Sequence, residues 1–131
     1  MRHEICAYDK MPLVSLTTLQ DFKQALASNP GVFIMKLGAT WCGPCRQVEP
    51  LIQSAIEQAP PNVLCAMVDI DNAIEIYGFL KAKKMVSGVP VILAYHRDNQ
   101  NYIPNDVVVG ADSTQIAALF ARSYKLAASL V

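Results

Sequence analysis

The strongest constraint on this chain is a seven-residue junction, Thr40-Trp41-Cys42-Gly43-Pro44-Cys45-Arg46, between two differently patterned segments. Before it lies a mostly apolar run, Val32–Leu37, suited to a central strand. After it, within Cys42–Gln58, Val48, Leu51, Ile52, Ala55 and Ile56 recur at the spacing of one helix face. Pro44 falls in the first turn, where its missing N–H costs nothing. Pro50 lies deeper and predicts a kink. A strand that runs straight into a helix at a cysteine pair places both cysteines on one helical face. Their β-carbons are then about 5–6 Å apart, close enough to bridge with modest adjustment.

The remaining pattern extends this unit in both directions. Leu13–Leu16 reads as a short strand. Thr17 or Thr18 then caps a helix carrying Leu19, Phe22 and Leu26, which Asn29-Pro30-Gly31 ends. After Pro60-Pro61-Asn62, Val63–Ile70 reads as a second buried strand. Asp71 or Asn72 caps a helix running to about Lys84, softened near Gly78. Val91–Tyr95 and Val107–Val109 are strands flanking the polar loop His96–Asp106. Asp112 caps a last helix, with Gln115 at capping-box spacing and Ile116, Leu119, Phe120 and Tyr124 as its apolar stripe. Strands and helices alternating in this way predict an α/β sandwich with a mixed central sheet. Continuously apolar strands fit a sheet covered on both faces.

Size and charge narrow the possibilities further. A chain of 131 residues, 53% hydrophobic and 17% charged, is long enough for one domain with a real core. We expect residues 1–11 to be an N-terminal extension and 12–131 a single domain. Eleven basic residues balance eleven acidic ones, so neither nucleic acid nor an anionic membrane is an expected partner. The first residues lack the apolar core of a secretory signal, and no apolar run is long enough to span a bilayer. The expected compartment is therefore the reducing cytoplasm, where a close cysteine pair points to redox or metal chemistry.

Redox chemistry fits the spacing better. A zinc site would need further ligands at metal spacing, and Cys6 with His3 does not supply it, so no metal is expected. Cys42 falls at the helix N-terminus, where free N–H groups and the positive dipole end favour a thiolate, the attacking species. Cys45, one turn further in, is placed to attack a mixed disulfide formed on Cys42. Gly43 leaves room for a partner chain and Pro44 stiffens the turn. Cys65, in an apolar strand, reads as a small buried hydrophobe. Cys6 lies in the loosely patterned start.

Trp41-Cys42-Gly43-Pro44-Cys45 resembles the thioredoxin family, and the similarity in element order runs from about Leu13 to Leu126. Pro50 resembles the proline of the family's active-site helix. Gly88-Val89-Pro90 is similar to the loop whose proline is cis and faces the cysteines. Val109-Gly110-Ala111 is similar to the third loop of the substrate groove. The resemblance implies a thioredoxin-like three-layer α/β/α sandwich and a protein-disulfide reductase. Cys42 and Cys45 would be catalytic, and Trp41, Gly43, Pro44, Val89, Pro90 and Gly110 would bind substrate. No bound cofactor is implied. Disulfide-containing proteins would be the substrates of a monomer recharged by an external donor such as a flavin-containing thioredoxin reductase.

The departures are specific. Where the family usually buries an acid, five residues before the tryptophan, this chain has Lys36. The lysine that commonly partners that acid is replaced by Met67, and an aromatic three residues before the tryptophan by Gly38. Loops Asn72–Gly88 and His96–Asp106 look longer than usual. A charged Lys36 about 6 Å from the Cys45 sulfur would stabilise its thiolate by roughly 2.8 kcal/mol at an effective dielectric near 20. Lys36 is therefore a candidate for tuning the cysteine pKa, set against a stem that packs while the amine reaches water. Two alternatives remain open: a disulfide isomerase or oxidase, and a thioredoxin-like binding adaptor without redox turnover.

Overall fold

In the computed structural model, residues 13–131 are described; residues 1–12, which include the expected extension, His3 and Cys6, lie outside them. The chain forms α1 (Leu19–Ala27), β1 (Val32–Gly38), α2 (Gly43–Glu57), β2 (Val63–Asp69), α3 (Ile74–Ala82), β3 (Val91–His96), β4 (Asp106–Val109) and α4 (Ser113–Ser129). The sheet order is β2-β1-β3-β4. β1 and β2 are parallel, and the other two pairings are antiparallel. This is the expected α/β/α sandwich with a mixed sheet.

Strand alternation assigns the faces. Phe33, Met35 and Leu37 of β1 pack with Phe22 and Leu26 of α1 and Ile76 and Leu80 of α3. Val32 and Ile34 pack with Val48, Ile52 and Ile56 of α2 and Ile116, Leu119 and Phe120 of α4. All seven residues of β1 are buried, as a central strand between two helical layers requires. The same period of two turns Lys36 toward the face covered by α2.

Three expectations change. The first strand shrinks to one parallel bridge, Leu13 to Cys65, with Val14 N donating to Cys65 O at 2.9 Å. Leu16 leaves that line to bury itself under α1, so no ladder continues. The third helix starts at Ile74, later than Asp71 or Asn72 would have it, and its N-cap Ala73 provides no side-chain hydrogen bond. Asp71 has another partner, described below. This helix also passes Gly78 unbroken and ends at Ala82, closed by Lys84 at φ 63° and by Met85 N donating to Leu80 O.

Thr18 and Asp21 form a full capping box at α1. At α4 only the Asp112 half of the expected box is present, its side chain accepting from Gln115 N.

Candidate active site

Cys42 is the N-cap of α2. Its backbone is extended (φ −91°, ψ 111°), and its Sγ accepts the Cys45 N–H at 3.2 Å. A sulfur in this position occupies the place a serine or aspartate oxygen usually takes, satisfying one of the orphan donors of the first turn. Cys42 and Cys45 are joined in a disulfide with Cα atoms 5.3 Å apart. Cys42 keeps 5% of its surface open and Cys45 1%, so an incoming chain meets the first sulfur before the second. Gly43 and Pro44 stand exposed between them, and a β-carbon on Gly43 would meet nothing within 4 Å.

Distant segments complete the rim. The Val89–Pro90 bond is cis, the form the resemblance implies, and the Val89 carbonyl oxygen lies 3.9 Å from Cys42 Sγ. Pro90 is buried, and its carbonyl accepts from Gly110 N at 2.9 Å. Gly110 holds φ +91°, a conformation that costs an L side chain strain and a glycine very little. The adjoining Val109 side chain is exposed. Trp41 is 64% exposed, outside the core, and its Nε1 donates to Asp71 Oδ2 at 2.8 Å. The structure thus gathers Trp41, Cys42, Gly43, Pro44, Cys45, Val89, Pro90 and Gly110 around one sulfur.

Behind the disulfide, Lys36 is 6% exposed, and its Nζ lies 3.6 Å from Glu49 Oε1. Lys36 sits in register between Met67 on β2 and Ile92 on β3, so neither neighbouring strand offers it a counter-charge. Its amine occupies space left by Gly38. A β-carbon there would lie 2.8 Å from Lys36 Nζ and 3.5 Å from Cys45 Sγ. The ammonium and the inner sulfur are therefore separated by little more than a methyl group would fill. Two departures from the family pattern, Lys36 and Gly38, are one steric arrangement. An open cleft of about 530 Å³, lined in part by Lys36, Gly38, Arg46, Glu49 and Asp69, reaches this point from the surface.

Glu49 and Asp71 were not read from the sequence as site residues. Glu49 lies four residues beyond Cys45, the spacing that shares a helix face, and that was the available signal. Asp71 gave none, since its contact with Trp41 spans 30 residues. Cys65 is buried in β2, and desolvation pushes its thiol up to about 12, so it stays a neutral packing group. Among the described residues, no cluster of three or more metal-ligating side chains occurs.

The thioredoxin family model matches residues 13–122. Thioredoxin-2 of Pyricularia oryzae is 34% identical over 115 residues, covering 88% of this chain and 61% of that longer protein. Thioredoxin of Coprinus comatus is 31% identical over 109 residues, covering 82% and 94% respectively. Among solved structures, thioredoxin O2 of Arabidopsis thaliana superposes with a TM-score of 0.69 at 24% identity, over 88% of this chain and 96% of that one. A dithiol at a strand-to-helix junction, in this fold and with these relatives, defines a thiol–disulfide oxidoreductase of the protein-disulfide reductase class. The chain belongs to the thioredoxin family.

Proposed function

We propose that residues 12–131 act as one domain that reduces protein disulfides, with Cys42 as nucleophile and Cys45 as resolving thiol. The carrying observation is the Cys42 sulfur at the N-cap, accepting an orphan N–H, with Cys45 covered behind it. Helix-end donors favour the Cys42 thiolate once the disulfide is reduced. That thiolate attacks one sulfur of a substrate disulfide, forms a mixed disulfide and expels the other substrate sulfur as a thiolate. Cys45, losing its proton to solvent, then attacks Cys42 Sγ. The mixed bond breaks, the second substrate thiolate leaves, and Cys42–Cys45 is oxidised by two electrons. The two expelled thiolates take up protons from water.

Trp41, Val89, Pro90 and the Gly110 loop form the groove for the substrate chain, and Gly43 and Pro44 keep its floor low. The reducing direction requires a compartment poised to keep restoring the dithiol, which fits a cytoplasmic monomer served by an external donor such as a thioredoxin reductase. The Lys36 ammonium beside Cys45 favours the reduced form, and this observation gives an oxidase or isomerase reading its footing. A measured reduction potential separates the two: near that of reducing thioredoxins for a reductase, distinctly more oxidising for the other.

Insulin reduction with dithiothreitol tests the central assignment. Cys42→Ser should abolish turnover, and Cys45→Ser should accumulate mixed disulfides with substrate. A Cys42→Ser protein as active as the wild type would leave only a docking scaffold.

A further inference from the structure

The Lys36–Glu49 pair stands at the rear of the cysteine pair, and its geometry is unequal. Lys36 is enclosed on the sheet, whereas the Glu49 side chain is 44% exposed at the mouth of the cleft. The other titratable groups lining the cleft, Arg46 and Asp69, have hydrogen-bond partners of their own. Arg46 on α2 donates through Nη1 to Thr40 O at 2.7 Å, and Asp69 Oδ1 at the end of β2 accepts from Asp71 N at 3.0 Å. From β3 the register neighbour of Lys36 is the apolar Ile92. Glu49 is thus the carboxylate that engages the ammonium, and Gly38 leaves open the path from that ammonium to Cys45 Sγ.

We propose that Glu49 is a positioning residue for the Cys45 step: it holds the Lys36 ammonium at a set distance from the inner sulfur and thereby limits how far that charge stabilises the Cys45 thiolate. The proposal rests on the reading of Cys45 as resolving thiol. With Glu49 ionised, part of the ammonium's field is answered by a carboxylate and its position is tethered. Without that tether the amine is drawn toward the sulfur as the thiolate forms, deepening the thiolate at the expense of its nucleophilicity. The pair acts as a restraint, which keeps the dithiol from becoming too stable to pass its electrons on.

The test is a double-mutant cycle on the full chain with Glu49→Gln, Lys36→Met and both together. The Cys45 thiol pKa is read from site-resolved alkylation rates in a Cys42→Ser background, and the dithiol equilibrium with glutathione in the Cys42-containing proteins. Glu49→Gln should lower the Cys45 pKa by about one unit and, at a pH above that pKa, shift the glutathione equilibrium up to about tenfold toward the reduced dithiol, about 30 mV. In the Lys36→Met background the same substitution should have little effect, because the group it positions is gone. An equal shift in both backgrounds means a direct field without positioning, and overturns the proposal, as does no shift in either.

Gly38→Ala supplies an independent arm that keeps both charges. Its methyl takes the space of the amine, a flexible side-chain end that can swing away, so the fold should survive and the Cys45 pKa should rise. An unchanged pKa in a folded Gly38→Ala protein also overturns the proposal. These titrations do not depend on turnover. Loss of the resolving role would instead appear as Cys45→Ser completing insulin reduction without trapped intermediates.

Discussion

The indole N–H of Trp41 donates to Asp71 Oδ2 at 2.8 Å, fastening the residue before the cysteine pair to the turn after β2. Both side chains are exposed, so the bond orients more than it stabilises. Asp71→Ala should cost less than about 1 kcal/mol of stability. It should lower kcat/KM for a protein disulfide roughly three- to tenfold, about 0.7–1.4 kcal/mol of transition-state free energy. A small aromatic disulfide reagent, which needs no groove, should react at the wild-type rate. Equal losses on both substrates would show that Asp71 acts on the cysteines and not on docking.

Gly31 is required by proximity. A β-carbon there would approach the Asn62 backbone oxygen to 2.5 Å, and Asn62 itself donates through Nδ2 to Ala127 O at 2.8 Å. Gly31→Ala must therefore push apart the entry to β1 and the entry to β2, loosening α4 as well. The expected loss is about 1–3 kcal/mol, read as a lower denaturant midpoint with an unchanged slope. Gly78→Ala is the control. Its site within α3 is open, so the substitution should be neutral or stabilising by up to about 1 kcal/mol.

Burial raises the Cys65 thiol from an ordinary value of 9.0 to about 12. The folded state holds this proton more tightly than the unfolded chain does. The resulting stability is complete below pH 9 and is lost as the pH climbs toward 12. At pH 10.5 the contribution lost should be about 2 kcal/mol. Denaturant titrations at pH 8 and pH 10.5 should show a steeper decline for wild type than for Cys65→Val. Parallel declines would remove Cys65 as the cause.

Asp21 behaves in the opposite sense. Hydrogen bonds from the backbone N–H of Thr17 and of Thr18 hold its carboxyl below the usual value of 3.8. Its folded value is the lower one, so its contribution is present above pH 3.8 and disappears as acid protonates the capping box. Comparing denaturation midpoints at pH 6 and pH 3, Asp21→Asn should flatten the acid side of the profile and leave the alkaline side alone.

Much of the site was legible because it is local. Cys42, Gly43, Pro44 and Cys45 are contiguous, and the apolar run before them with the helical period after them locates the junction. Pro90 and Gly110 were found through similarity to a known pattern, since nothing in their own neighbourhoods refers to a cysteine. The helix after β2 illustrates the limit. Asp71 carries a good capping side chain, but its carboxylate receives the Trp41 indole N–H, and the helix begins three residues later at Ile74, with Ala73 an N-cap that makes no side-chain bond. A local preference yielded to a partner 30 residues away.

Lys36 marks the boundary most clearly. Its spacing before Trp41 and the two-residue period of β1 are properties of the chain alone, and they suffice to turn it toward the helix that bears the cysteines. That it meets Glu49 depends on how α2 lies across the sheet, and that its amine fits beside Cys45 depends on the hollow at Gly38. Hydrophobic periodicity encodes which face of an element is covered, because burial is a property of each residue. Distances between charges on different elements are set only when those faces pack, and the electrostatics of the inner cysteine were decided there.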